Sequence, residues 1–184
     1  AIGFDGNQPL SFLQTAGAKS VGIETYTFSK TFNMAGWRVG FAVGNADMIA
    51  ALNLIQDHLF VSIFPAIQDA AIAALAQRKQ RTDAVGQLQA VYESRRNAFI
   101  NAVRSFNWEP YVPKGAFYVL MPVPKGYTSA QFAELLLNRA NVAVADASGF
   151  GDAGEGYVRV GLTITEDRLV EAANRIKALN LFLE

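Results

Sequence analysis

One long amphipathic pattern constrains this chain more than any other feature. From Thr82 to about Phe106, apolar side chains return through Val85, Leu88, Tyr92, Phe99 and Val103, and Pro110 and Pro113 close the pattern off. That spacing predicts a helix too long to belong to one small layer, so it is expected to join two lobes. The boundary is placed near Gln80, giving lobes 1–80 and 81–184. A chain of 184 residues with 51% apolar and 17% charged residues can support this, because it has the material to bury a core.

Before the long helix, Val21–Phe28 and Trp37–Val43 read as strands, rich in β-branched and aromatic residues. Asn45 offers a helix cap ahead of Met48, Ile49, Leu52, Ile55 and Leu59 at helical spacing. Pro65 suits another helix start, followed by a small-residue face of Ile67, Ala70, Ala71, Ala74 and Leu75. Beyond the long helix, Ala116–Met121, Asn141–Ala145 and Tyr157–Leu162 read as strands. Thr128 and Gln131 form a capping-box pattern, and a last helix starts near Thr165. The fold class expected is α/β, with a strand–strand–helix–helix portion followed by an α+β lobe.

Several functions are excluded early. The formal net charge is zero and there is no basic stripe, which argues against a nucleic-acid partner. No apolar stretch approaches the roughly 20 residues a membrane span needs, and the first residues lack the basic and apolar regions of a signal peptide. Without cysteine there can be no disulfide, thiolate nucleophile or thiolate metal site, and a cytoplasmic enzyme is the default reading. The lone histidine, His58, rules out a histidine-cluster metal site, and no nucleophile-elbow serine is present to partner it. His58 is therefore read as a helix-end or pocket-wall residue. Gly149-Phe150-Gly151-Asp152-Ala153-Gly154 matches the dinucleotide fingerprint, but strand-forming residues follow where a helix is required, so a flexible loop is expected instead.

Chemistry concentrates at three places. Thr27-Phe28-Ser29-Lys30 follows a strand, with two hydroxyls expected on one face of an extended chain and a lysine at its end. Strand ends form ligand crevices in α/β proteins, and a lysine in an apolar crevice is suited to react with an aldehyde. The alternative is a surface lysine in a turn. Arg38, expected within a strand of Gly36, Gly40 and Ala42, needs an anion if buried: either a bound phosphate or carboxylate, or a distant acidic residue. Arg159 repeats the situation within Tyr157-Val158-Arg159-Val160. Two such arginines suit a ligand pair with two anionic groups, such as an amino acid joined to a phosphorylated cofactor.

Ser29-Lys30-Thr31-Phe32-Asn33-Met34-Ala35-Gly36-Trp37-Arg38-Val39-Gly40 resembles the cofactor-lysine signature of class I and II aminotransferases, enzymes of pyridoxal-phosphate fold type I. Further resemblance runs through Phe64-Pro65-Ala66-Ile67, Pro113-Lys114-Gly115-Ala116-Phe117-Tyr118 and Gly156-Tyr157-Val158-Arg159. The resemblance implies that Lys30 holds pyridoxal 5'-phosphate covalently and shuttles the substrate proton. It implies that Thr27, Ser29 and Arg38 hold the cofactor, with Thr27 and Arg38 at its phosphate, and that Arg159 clamps the substrate α-carboxylate. It also implies that residues 1–80 end the large cofactor-binding domain, that 81–184 form the small domain, and that the whole enzyme is a homodimer acting on amino acids and 2-oxo acids. The likeness corresponds to only the second half of such an enzyme, so this piece is expected to be inactive alone. Asp146-Ala147-Ser148 stands where relatives often carry Pro-Gly, and no arginine near His58 is present to select a dicarboxylate. A β-lyase of the same cofactor family, a non-catalytic aminotransferase-like regulator domain and a purely structural domain are the competing readings.

Overall fold

The computed structural model describes residues 2–79 and 84–182. Contacts divide the chain into two compact units, one built on Gln8–Leu88 and the other on Gly3–Asn7 with Gln89–Glu184. The expected boundary near Gln80 lies outside the described residues; the division of the chain falls between Leu88 and Gln89, within the long helix.

The first unit opens with α1 (Ala18–Val21), followed by β1 (Ile23–Thr27), α2 (Phe28–Thr31) and β2 (Gly40–Gly44). Both strands are shorter than the sequence suggested. Val21 ends a helical turn and Phe28 begins one, because the Thr27 side chain accepts the Ser29 amide and caps the turn. Trp37 closes a 3-10 turn, and Arg38 takes a left-handed conformation (φ 51°) that ends it, so neither belongs to β2. β1 and β2 form an antiparallel ribbon from Ile23 opposite Gly44 to Thr27 opposite Gly40. Gly40 is required by contact: a Cβ there would lie 2.4 Å from the Tyr26 carbonyl oxygen.

Two helices complete this unit. α3 (Ala46–Leu59) starts where the Asn45 side chain accepts the Met48 amide, as its position predicts. α4 (Pro65–Lys79) starts at the expected proline. Phe28, Val39 and Ala71 are buried together, with Ile67 and Ala74 packed beside them, so part of the small-residue face of α4 does meet the ribbon end. The apolar residues of α3 behave differently: none is buried.

α5 (Ala84–Arg104) follows, and Thr82 lies outside the described residues. In the second unit, the inner face of α5, Phe99 and Val103, packs on a sheet ordered β3 (Tyr118–Pro122), β5 (Tyr157–Gly161), β4 (Ala145–Asp146), all antiparallel. α6 (Ser129–Leu135), continued by a π turn over Leu136–Ala140, and α7 (Glu166–Lys177) supply Phe132, Leu136, Leu169, Ala173 and Ile176 to the same core. Trp108 fills its centre, stacked 4.9 Å from Phe182 and edge-on to Phe132, with its indole N–H donated to the Pro122 carbonyl at 2.8 Å. The capping box at Thr128 and Gln131 forms as read. Two strands are again shorter than expected: Ala116 has a positive φ (68°) and stays outside β3, and Asn141 is a left-handed cap that delays β4 to Ala145. Isolated β-ladders need continuous extended backbone, which these two residues interrupt.

Arg96 ties the first residues into this unit. It is 3% exposed, and its two terminal nitrogens donate to the two Asp5 carboxylate oxygens at 2.7 and 2.8 Å. It also donates to the Pro113 carbonyl and lies 4.7 Å over the Phe4 ring.

Candidate functional site

At one end of the β1–β2 ribbon the backbone gathers the first group of expected residues. Thr27 stands opposite Gly40 in the last ladder pair, and the Phe28 amide donates to the Val39 carbonyl at 3.2 Å. The chain thus leaves β1 into α2, carrying Ser29 and Lys30, directly beside the residue that follows Arg38. Phe28 anchors this junction; its buried ring packs 5.3 Å from Phe32 and 5.7 Å from Phe41.

The hydroxyls do not lie on an extended chain, as the alternation rule suggested. Ser29 and Lys30 sit in the single turn of α2. The Thr27 hydroxyl accepts the Ser29 amide at 3.1 Å and donates to Ser29 Oγ at 2.9 Å, so the turn itself brings the two hydroxyls together. Lys30 is in the last turn of α2 and exposed in this chain, rather than set in an apolar crevice of it.

Arg38 is likewise exposed, not embedded in a strand. Its left-handed backbone turns it out of the ribbon, and its guanidinium donates to the Ala35 carbonyl at 3.0 Å. Among the described residues it pairs with no carboxylate. A guanidinium with most of its donors available, on the segment whose backbone adjoins the turn bearing two hydroxyls and a lysine, adds to a donor set that fits a phosphate and an aldehyde on one small molecule.

Arg159 belongs to the second unit and is in a strand as expected. Alternation along the sheet decides which way it faces. Val119, Met121, Val158 and Val160 point into the core and are buried. Arg159, opposite Leu120 on one side and Ala145 on the other, therefore stands on the opposite face. Its guanidinium carbon lies 4.1 Å from the centre of the Tyr118 ring and 4.0 Å from that of Phe150. No hydrogen bond or ion pair engages its N–H groups among the described residues.

Neither flanking ring was singled out as a site residue from sequence. Tyr118 could have been found by pairing β3 with β5, which makes it the diagonal neighbour of Arg159. Phe150 carried no such signal, since it comes from the segment read as a flexible loop. That segment is instead two 3-10 turns, Ala147–Phe150 and Asp152–Gly154. Asp146 Oδ1 accepts the Ser148 amide at 2.8 Å and its hydroxyl at 2.7 Å. β5 follows the second turn, so the dinucleotide fingerprint is indeed a coincidence of glycines. His58 is in the last turn of α3, exposed, a helix-end residue as one of its two readings had it.

No helix among the described residues is long and apolar enough to cross a membrane. No group of three or more histidine, cysteine, aspartate or glutamate residues among them could hold a metal ion.

Known proteins agree with the resemblance. The family described as aminotransferase class I and II matches residues 3–176. The chain is 61% identical over 184 residues to the L-glutamine–4-(methylsulfanyl)-2-oxobutanoate aminotransferase of Bacillus subtilis, covering all of this chain and 46% of that protein. It is 44% identical over 176 residues to an LL-diaminopimelate aminotransferase of Moorella thermoacetica, covering 96% of this chain and 44% of the relative. Among solved structures, an aminotransferase from Staphylococcus aureus superposes with a TM-score of 0.91 at 39% identity, over 100% of this chain and 48% of that one. The BacF structure from Bacillus subtilis gives a TM-score of 0.90 at 42% identity, over 97% and 45%. The chain thus spans about half the length of the curated relatives it matches. Its fold is that part of a fold-type-I transferase, and the chain belongs to the class I and II aminotransferase family.

Proposed function

We propose that the chain is the carboxy-terminal part of a pyridoxal-phosphate-dependent aminotransferase, which moves an amino group from an L-amino acid to a 2-oxo acid. The observation that carries this reading is the ribbon end, where Thr27, Ser29, Lys30 and the backbone leading from Arg38 converge around the Thr27–Gly40 pair. Residues 1–80 then end the large cofactor-binding domain and 81–184 form the small domain.

Each residue has a task that its chemistry supports. Arg38 and the Thr27 hydroxyl hold the cofactor phosphate, the Thr27 O–H turning from Ser29 Oγ to a phosphate oxygen while the Ser29 amide keeps Thr27 Oγ in place. Lys30 holds the cofactor through its side-chain nitrogen and, when released, takes the proton from the α-carbon of the amino acid and, in the second half-reaction, delivers one to the α-carbon of the 2-oxo acid. Arg159 binds the α-carboxylate through its planar fork of N–H groups. Pyridoxal 5'-phosphate, when bound, supplies the electron sink that makes the α-proton removable.

The exposed apolar side chains at the end of α3 and just after it, Leu59, Phe60, Val61 and Phe64, support burial of this face in the whole protein, and with it assembly as a homodimer. A cytoplasmic location goes with this reading. The relative at 61% identity is named for L-glutamine and 4-(methylsulfanyl)-2-oxobutanoate, so this pair is the first to assay.

The test is to incubate the whole protein with pyridoxal phosphate, reduce with borohydride and map the modified lysine by mass spectrometry, with Lys30→Ala as control. Selective labelling of Lys30 supports the reading, and labelling elsewhere or not at all sinks it.

A further inference from the structure

Arg159 is the one site residue whose surroundings follow an unusual rule. A half-buried arginine is commonly held in place by a carboxylate, which neutralises its charge and occupies its donors. Here two aromatic rings lie against the guanidinium, their centres 4.1 and 4.0 Å from its carbon, while its five N–H groups have no partner among the described residues. A ring face attracts a cation through its quadrupole and offers no acceptor in the guanidinium plane. The two rings therefore orient the guanidinium without competing for its donors.

The two rings come from different elements, each separately fixed. Tyr118 lies on β3, opposite Gly161 and so diagonal to Arg159 across the ladder. Phe150 ends the 3-10 turn after β4. The turn is closed by the Asp146–Ser148 hydrogen bonds and by the Gly151 amide donating to the Ser148 carbonyl at 3.1 Å. Gly154 closes it from the far side, since a Cβ there would lie 2.0 Å from the Ala147 carbonyl oxygen. Phe150 itself is 64% exposed, so its ring is set by its turn and by the contact with Arg159 rather than by a core.

We propose that Tyr118 and Phe150 are positioning residues that clamp the Arg159 guanidinium through their ring faces, so that its N–H groups stay available and a substrate carboxylate binds through two parallel N–H···O bonds. The proposal rests on the reading of Arg159 as the carboxylate-binding residue, and it adds that ring faces, not a neighbouring acid, set the orientation of the guanidinium. The clamp acts on a contact present in both ground and transition states, so its loss raises KM and leaves kcat nearly unchanged.

The experiment compares Phe150→Leu, Tyr118→Leu, Phe150→Tyr, Tyr118→Phe and Arg159→Ala in the whole protein. It reads kcat and KM for the amino-acid donor, together with the inhibition constant of propionate, a carboxylate without an amino group. Each leucine variant is expected to raise KM and the propionate constant by about threefold to tenfold. The aromatic exchanges should stay near the parent protein, and Arg159→Ala should raise both constants by about 100-fold. Leucine variants with unchanged constants, beside a weakened Arg159→Ala, would overturn the clamp alone. An Arg159→Ala variant with unchanged constants would overturn the carboxylate reading on which it stands. Loss of kcat with KM unchanged in the leucine variants also overturns the clamp. Because Phe150 is mostly exposed, its leucine variant is expected to fold, and it decides the matter if Tyr118→Leu does not.

Discussion

Around Trp108, Phe132 and Val158 the second unit closes a continuous core, with α5, α6 and α7 laid against one face of its sheet. In the first unit the corresponding cluster is Phe28, Val39 and Ala71, and apolar side chains such as Leu54, Leu59, Phe60 and Phe64 are 60–72% exposed. The difference teaches where each part draws its order from. One unit is held by its own side chains. The other carries Thr27, Ser29 and Lys30 at the end of a two-stranded ribbon, which is marginal in water without further packing. A site assembled on so thin a platform gains rigidity from whatever covers it.

The sharpest way to test that contrast is to open both cores. Trp108→Ala should cost the second unit about 3–5 kcal/mol in denaturant unfolding, since it removes a fully buried indole and orphans the Pro122 carbonyl. Val39→Ala, in the thin cluster, should cost about 1.5 kcal/mol, from the two methyl groups' worth of lost burial. Equal losses would mean that the two units share one cooperative core. Thr128→Ala should cost about 1 kcal/mol by removing the cap of α6, measurable by the same unfolding curves.

A smaller effect appears only in acid. The Arg96 guanidinium beside Asp5 holds that carboxyl below its ordinary value of 3.8. The unfolded chain then binds the proton more readily than the folded one, so this pair stabilises at pH well above 3.8 and its contribution fades as pH falls through and below that value. Melting temperatures recorded from pH 7 to 3 should fall less steeply for Asp5→Asn than for the parent, and parallel curves would remove the pair from the account. Smallest of all, Leu59→Ser should change the stability of this chain by less than about 0.5 kcal/mol, because the side chain is 70% exposed. A much larger loss in the whole protein would show that the face is covered there.

Elements with a local cause were readable from sequence. Asn45, Pro65 and Thr128 start helices where they were expected to, because capping depends on residues three or four positions apart. Strands were overextended at Val21 and Phe28, at Trp37, at Ala116 and at Asn141, because a left-handed residue or a capped turn interrupts an apolar run without changing its composition. The site followed the same division. Lys30, Arg38 and Arg159 stood out by type and spacing, whereas the exposed setting of Arg38 and the two rings on Arg159 did not.

The sequence by itself determined the element order, the α/β class, the lysine signature and the two arginines, since these rest on short-range periodicity and on side-chain chemistry. Only the tertiary structure decided that β3 and β5 pair in the register that sets Tyr118 beside Arg159, and that the glycine-rich segment folds back to bring the Phe150 ring against the same guanidinium. Register depends on contacts between residues some 40 positions apart, and a one-residue slip would turn Arg159 into the core.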